Sequence, residues 1–204
     1  MARLILSIVL LLFVYNHVGA QEGQEFWAHE FAPKPEQVMN FKGLGDDVQP
    51  LDFIVIYVIR AEAEREPGYW VSEYDIFPED AADPAFVPSP SFDYYLNEQG
   101  LMVRSAYERS QGIMPYLLLP YKFARGDVFT GRGGVELTIS NTEQKVVEHG
   151  ITYTDCVEVT TPEGDQIFFM ADNGVVLSRG ADERWLIKSS YISEEDLARK
   201  YNIR

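Results

Sequence analysis

The chain has 204 residues, with 17 Lys and Arg against 32 Asp and Glu, a formal charge of −15 and a single Cys. This composition excludes a phosphate-tracking surface, which needs many bases, and an intramolecular disulfide framework, which needs more than one thiol. Beyond the first twenty residues, no apolar run approaches the roughly 20 residues of a membrane span.

Residues 1–20 have the pattern of a signal peptide. Arg3 follows Met1-Ala2, Leu4 to Tyr15 is apolar except for Ser7, and Val18-Gly19-Ala20 offers small side chains for cleavage. An uncleaved anchor is the competing reading. Removing the segment takes away one charge, Arg3, and leaves a more acidic chain. The expectation is a secreted or periplasmic protein with no transmembrane segment after signal removal. Residues 21–50 form a polar leader containing Pro33, Pro35 and Gly43-Leu44-Gly45-Asp46-Asp47, where little regular structure is expected. Phe26, Trp27 and Phe31 are placed to staple it onto a single β-rich domain over 51–204.

Leu51 to Arg60 is apolar on both parities, which predicts a strand covered on both faces, by the leader or by a partner. Tyr69 to Phe77 alternates, with Trp70, Tyr74 and Ile76 on one side and Glu73 and Asp75 on the other. A proline loop follows over Asp80 to Pro90. Phe92 to Leu96 and Leu101 to Tyr107 flank Asn97-Glu98-Gln99-Gly100, a hairpin turn. A meander occupies the second half: Val135 to Val147, Ile151 to Thr161, Gln166 to Met170, Val175 to Arg179 and Arg184 to Tyr191. Its turns carry His149-Gly150, Pro162-Glu163-Gly164, Asn173-Gly174 and Gly180-Ala181-Asp182. Ser193, followed by acids and then by Arg199 and Lys200, predicts a capped terminal helix with charges matched to its dipole. The fold class is therefore mainly β: a strongly bent antiparallel sheet or an open or half barrel of about nine strands, with a short C-terminal helix.

Few residues suggest chemistry. Only His29 and His149 remain after the signal peptide, and two His with one Cys do not make a zinc set. His149 lies beside Glu148 with no nucleophile elbow and reads as a turn residue. Cys156 has Asp155 and Glu158 nearby, which raise a thiol pKa, so it reads as packing inside a strand. Glu79, Asp80 and Asp83 offer oxygen ligands, but not at the spacing of a calcium loop. Glu62, Glu64 and Glu66 alternate, which predicts a solvated row that would discourage edge-to-edge pairing if the preceding strand lies at an edge. No catalytic residue, metal or cofactor is assigned. Residues 51–110 hold twelve acids and four bases, which predicts an acidic face that repels nucleic acid.

Residues 115–191 carry a longer pattern. Pro120-Tyr121-Lys122-Phe123-Ala124-Arg125-Gly126-Asp127 precedes Gly150-Ile151-Thr152-Tyr153-Thr154-Asp155-Cys156-Val157, and a hairpin follows at Asp172-Asn173-Gly174-Val175-Val176-Leu177. This order resembles a group of uncharacterised exported bacterial β-sheet proteins with a Gly-Asp entry, an Asp-Cys-Val strand and a glycine hairpin. Thr154 stands where that group has Phe, and Val175-Val176-Leu177 where it has Gly-Leu-Val. The group is similar in outline to the half-barrels of periplasmic lipoprotein carriers. The resemblance implies a fold and a compartment and transfers no catalytic residue.

The functional expectation is an exported, non-enzymatic binding protein for a hydrophobic or lipid-like ligand held in the concave face of the sheet. Tyr57, Trp70, Tyr74, Tyr94, Phe168 and Trp185 are the candidate lining residues, with simple core packing as the competing role for each. An envelope or secreted protein-interaction module is the first alternative. A carboxylate-dependent extracellular hydrolase is the second.

Overall fold

The computed structural model describes residues 24–44, 50–59, 69–83, 85–180 and 183–203. The expected signal peptide, Gly45-Asp46-Asp47 of the leader and Glu62, Glu64 and Glu66 lie outside them. The strands are β1 (Phe26–Trp27), β2 (Gln37–Leu44), β3 (Pro50–Ile59), β4 (Tyr69–Ile76), β5 (Phe92–Leu96), β6 (Gly100–Ser105), β7 (Tyr116–Pro120), β8 (Lys122–Phe123) and β9 (Val128–Thr130). They continue as β10 (Glu136–Glu148), β11 (Ile151–Thr160), β12 (Gln166–Met170), β13 (Gly174–Arg179) and β14 (Arg184–Tyr191). The α-helices are α1 (Pro78–Ala82), α2 (Ala106–Ser110) and α3 (Glu194–Tyr201).

Twelve strands form one antiparallel sheet in the order β7-β6-β5-β4-β3-β2-β14-β13-β12-β11-β10-β9. It curls into a nearly closed barrel. The expected mainly β architecture with a terminal helix is present, but the count of about nine strands was too low. Part of the shortfall is β2, which lies in the supposed leader. Val38, Met39 and Phe41 are all buried there, and β2 pairs with β14 on one side and β3 on the other. Glycine and proline at the segment's ends outweighed its apolar centre in the sequence reading. Strand β7, Tyr116-Leu117-Leu118-Leu119-Pro120, shows no alternation to announce it.

An ion pair links the segments that flank the edge strands β7 and β9. Arg132 Nη2, in the 3-10 turn after β9, lies 2.8 Å from Glu108 Oε1 on α2. Glu108 is held in place by a capping box with Ser105, whose Oγ accepts from the Glu108 amide. At the β5–β6 hairpin, Gly100 has φ 139°, and a Cβ there would sit 2.0 Å from the Leu119 carbonyl oxygen. No side chain fits that position.

Register divides the sheet into two faces. Inside, Met39 opposes Val55, Tyr57 opposes Glu73, and Val71 and Val103 oppose Tyr94. Outside, Val38, Ile56 and Ile76 pack with Leu197, Tyr201 and Ile203. Strand β3 is thus covered on both faces as its composition requires, and its outer cover is α3 rather than the leader. Ser193 Oγ caps α3 by accepting from the Asp196 amide at 3.2 Å, and Asn202 ends it at φ 57°. Burying a Leu side chain contributes roughly 1.5–3 kcal/mol, which stabilises a two-turn helix too short to persist alone.

One end of the barrel is plugged. Strands β1 and β8 pair, and the 3-10 turn Ala28–Phe31 bridges the β7–β8 corner to the β12–β13 turn through Ala28 N to Tyr121 O and Asp172 N to Glu30 O. Phe26 stacks on Phe123 at 6.0 Å between ring centroids, and Phe31 packs against it at a tilt, at 5.8 Å. This is the stapling that the aromatic residues of the leader led us to expect.

The β10–β11 hairpin folds back on the outside. Glu143 and Asp155 adopt φ of 57° and 56° on its two strands, beside the Gln144–Cys156 pair, so both strands bend together. The tip then lies on β13 and β14, where Arg179 Nε donates to Glu148 Oε2 at 2.8 Å and Tyr153 OH donates to Leu186 O at 2.6 Å.

Candidate functional site: a polar cluster inside the barrel

Strand alternation places Val71, Glu73 and Asp75 on the inner face of β4 and Trp70, Tyr74 and Ile76 outside. Glu73 is fully buried. Its Oε2 accepts from Tyr94 OH at 2.7 Å, and its Oε1 accepts from Arg184 Nη1 at 3.2 Å. The Arg184 guanidinium also sits 5.1 Å above the Phe41 ring. Tyr57 packs edge-on against Tyr94, 6.0 Å between centroids. Strands β3, β5 and β14 thereby converge on one carboxylate of β4.

The electrostatics follow from burial. Desolvation, then the Glu73 charge, raises both Tyr57 and Tyr94 well above the ordinary phenol range, so both remain hydroxyl donors. For Arg184, burial pulls downward, but the Glu73 carboxylate more than offsets it and keeps the guanidinium charged. Asp75 is different. Burial and then Glu73 push its carboxyl up to about 7, against an opposing effect from Arg184. Its Oδ1 is buried and has no hydrogen-bond partner.

Beside this cluster lies a cavity of about 410 Å³, within the range of small-molecule sites. The rings of Phe53, Phe77, Phe92, Tyr94 and Tyr116 line it together with Asp75, Arg132 and Arg184. Val103, Leu118, Ile167 and Val175 complete the apolar wall.

The buried charges do not find their explanation in stability. Removing an ion from water costs several kcal/mol even after relaxation, and a buried pair exchanged for well-packed apolar residues is often neutral or stabilising. Leaving Asp75 Oδ1 unsatisfied costs about 1–3 kcal/mol more. Perturbed, unsatisfied groups against a cavity mark a candidate binding site.

Of the six candidate lining residues, the structure brings Tyr57 and Tyr94 together inside the barrel, and only Tyr94 reaches the cavity wall. Trp70 and Tyr74 lie outside. Trp70 stacks on Tyr95 at 4.3 Å with the Arg104 guanidinium over its ring at 5.0 Å, along an outer cleft shared with Met102 and Met114. Tyr74 packs against the apolar cluster under α3. Phe168 and Trp185 oppose Leu177 from either side, on the face opposite Ser178 and Arg184. There the hairpin tip covers Trp185, with the His149 ring stacked on it at 3.9 Å.

The residues that sequence reasoning missed are Glu73, Asp75 and Arg184. The alternation of β4 separated its acids from its aromatics, but polarity suggested the wrong face as the interior. The predicted acidic face is also reduced. Glu73, Asp93 and Glu108 are buried. Asp93 accepts from Ser72 Oγ at 2.9 Å and from Arg109 Nη1 at 3.0 and 3.1 Å.

The other reactive candidates sit elsewhere. Cys156 is buried, with its thiol pushed up to about 11 by burial and by Asp155. His149 Nε2 lies between Glu148 and Glu183, at 3.7 and 3.6 Å. Asp80 and Asp83 border a small outer pocket beside Arg199 and Lys200. Among the described residues, no group of three or more His, Cys, Asp or Glu is arranged to hold a metal ion, and no helix is long and apolar enough to cross a membrane. Comparison with known proteins finds no matching family model, curated protein or solved structure.

Proposed function

We propose that this is an exported, non-enzymatic binding protein that holds one small molecule with a largely apolar body inside the barrel. The observation that carries the reading is the 410 Å³ cavity, whose wall joins five aromatic rings to a short polar stretch at Asp75 and Arg184. Sites of this kind are mostly apolar, with a few placed polar groups that orient the ligand. Binding is favoured over hydrolysis because, among the described residues, Asp75 is the one carboxylate on the cavity wall. Both oxygens of Glu73 are already engaged by Tyr94 and Arg184, whereas glycoside hydrolysis needs two carboxyl groups flanking the bond.

The test uses a neutral fluorescent probe, N-phenyl-1-naphthylamine. The wild type is expected to bind it with saturable enhancement of fluorescence. Leu118→Trp, which fills the cavity from the β7 wall, should abolish that binding while its unfolding midpoint stays close to that of the wild type. An unchanged affinity in a folded Leu118→Trp would refute an interior site.

A further inference from the structure

We infer that the interior site is selective for a cationic amine, whose N–H groups are received by Asp75 and whose charge lies among the aromatic rings of the cavity. This rests on the preceding proposal that the cavity binds a small molecule, and it adds the chemical class of that molecule.

The argument is one of charge pairing. Four charged side chains bear on the cavity or on the groups that line it: Glu73, Asp75, Arg132 and Arg184. Both arginines are already committed to carboxylates. Arg184 donates to Glu73 at 3.2 Å, and Arg132 lies 2.8 Å from Glu108. An anionic ligand would have to compete with these pairs. Asp75 alone presents a buried carboxyl oxygen with no donor, at the cavity wall. A ligand N–H would satisfy it.

The surroundings suit a cation. Aromatic faces attract cations through their quadrupoles, and five rings line this cavity. The chain's formal charge of −15 draws cations and repels anions at longer range.

The choice between an ammonium and a neutral donor such as a hydroxyl can be made through the proton. The groups that face Asp75 are Glu73 on its own strand, Tyr94 from β5, Arg184 from β14 and the Ser91 hydroxyl, which bonds the Asp75 carboxyl and also accepts from its backbone amide, with Arg132 on the same cavity wall. Burial and then Glu73, against the opposing effects of Arg184 and Ser91, put the Asp75 carboxyl at about 7, so the free protein is part protonated at neutral pH. A cation binds the ionised carboxylate and releases the proton, whereas an alcohol has no such requirement. Amine affinity should therefore rise roughly tenfold from pH 6 to pH 8, as the ionised fraction of a group titrating at pH 7 does.

The experiment displaces N-phenyl-1-naphthylamine with 4-phenylbutylamine, 4-phenylbutanol and 4-phenylbutyrate. At pH 8 the amine is expected to compete at least tenfold more effectively than the alcohol, and the butyrate least of all. The amine's advantage should shrink roughly tenfold at pH 6 and vanish in Asp75→Asn, each competitor being read against that variant's own affinity for the probe. Calorimetry of the wild type in buffers of different ionisation enthalpy should show proton release with the amine alone, a readout independent of the variant's folding. Probe binding with equal competition by amine and alcohol, or with the butyrate strongest, overturns the amine assignment and leaves the binding reading intact. Failure of the probe and all three competitors to bind overturns both.

Discussion

Strands β3 and β4 carry two faces with opposite logic. Their outer face, with Ile56 and Ile76 against Leu197 and Tyr201 of α3, is an apolar seam. Their inner face, where a barrel core is expected, holds Tyr57, Glu73 and Asp75 around Arg184 and Tyr94. The outer seam supports the sheet. The inner cluster spends stability to keep polar groups beside a cavity, and that contrast points to the interior as the working face.

The largest way to break the contrast is Glu73→Ala. It leaves Arg184 charged and unpaired inside the barrel, and urea unfolding should show a loss of about 3–5 kcal/mol. Adding Arg184→Met should recover much of that loss, giving a coupling energy of at least about 1 kcal/mol in the double-mutant cycle. Additive losses would mean that the two side chains act independently. On the outer face, Leu197→Ala removes an apolar anchor of α3 and should cost about 3 kcal/mol, with no coupling to Arg184.

Asp75 sharpens the contrast through pH. Its folded-state pKa, about 7, lies above the ordinary 3.8, so the folded protein retains a proton that the unfolded chain has released. Stability from this group is present below about pH 4 and is lost as pH rises towards 7. The expected decline is roughly 2 kcal/mol between pH 5 and pH 7, and Asp75→Asn should flatten that part of the profile. A decline that persists in Asp75→Asn would locate the titration elsewhere. The smallest effect is Ser193→Ala, which removes the cap of α3 and should cost about 1 kcal/mol.

Much of the frame was legible in the sequence. The meander from β10 to β14 and the capped helix follow from alternation, glycine turns and charge placement, and β3 announced two covered faces by its composition. Two things were hidden. Strand β2 lay in a segment whose ends look irregular, although Val38, Met39 and Phe41 supply its buried side chains. More consequentially, period-two alternation separates Trp70, Tyr74 and Ile76 from Glu73 and Asp75 but carries no sign. The usual assumption that acids face water assigns the sign wrongly here. Arg184, from the far end of the chain, is the partner that reverses it, and its pairing with Glu73 spans 111 positions. Local pattern holds no trace of that contact.

The most direct test places a ligand on one face or the other. With methyl groups of Ile, Leu and Val labelled for NMR, N-phenyl-1-naphthylamine should shift Val103, Leu118, Ile167 and Val175, which line the cavity, and leave Ile54, Val58 and Leu197 under α3 unmoved. Shifts confined to the α3 seam or to the outer cleft at Met102 and Met114, or a spectrum unchanged at saturating probe, would contradict an interior binding site.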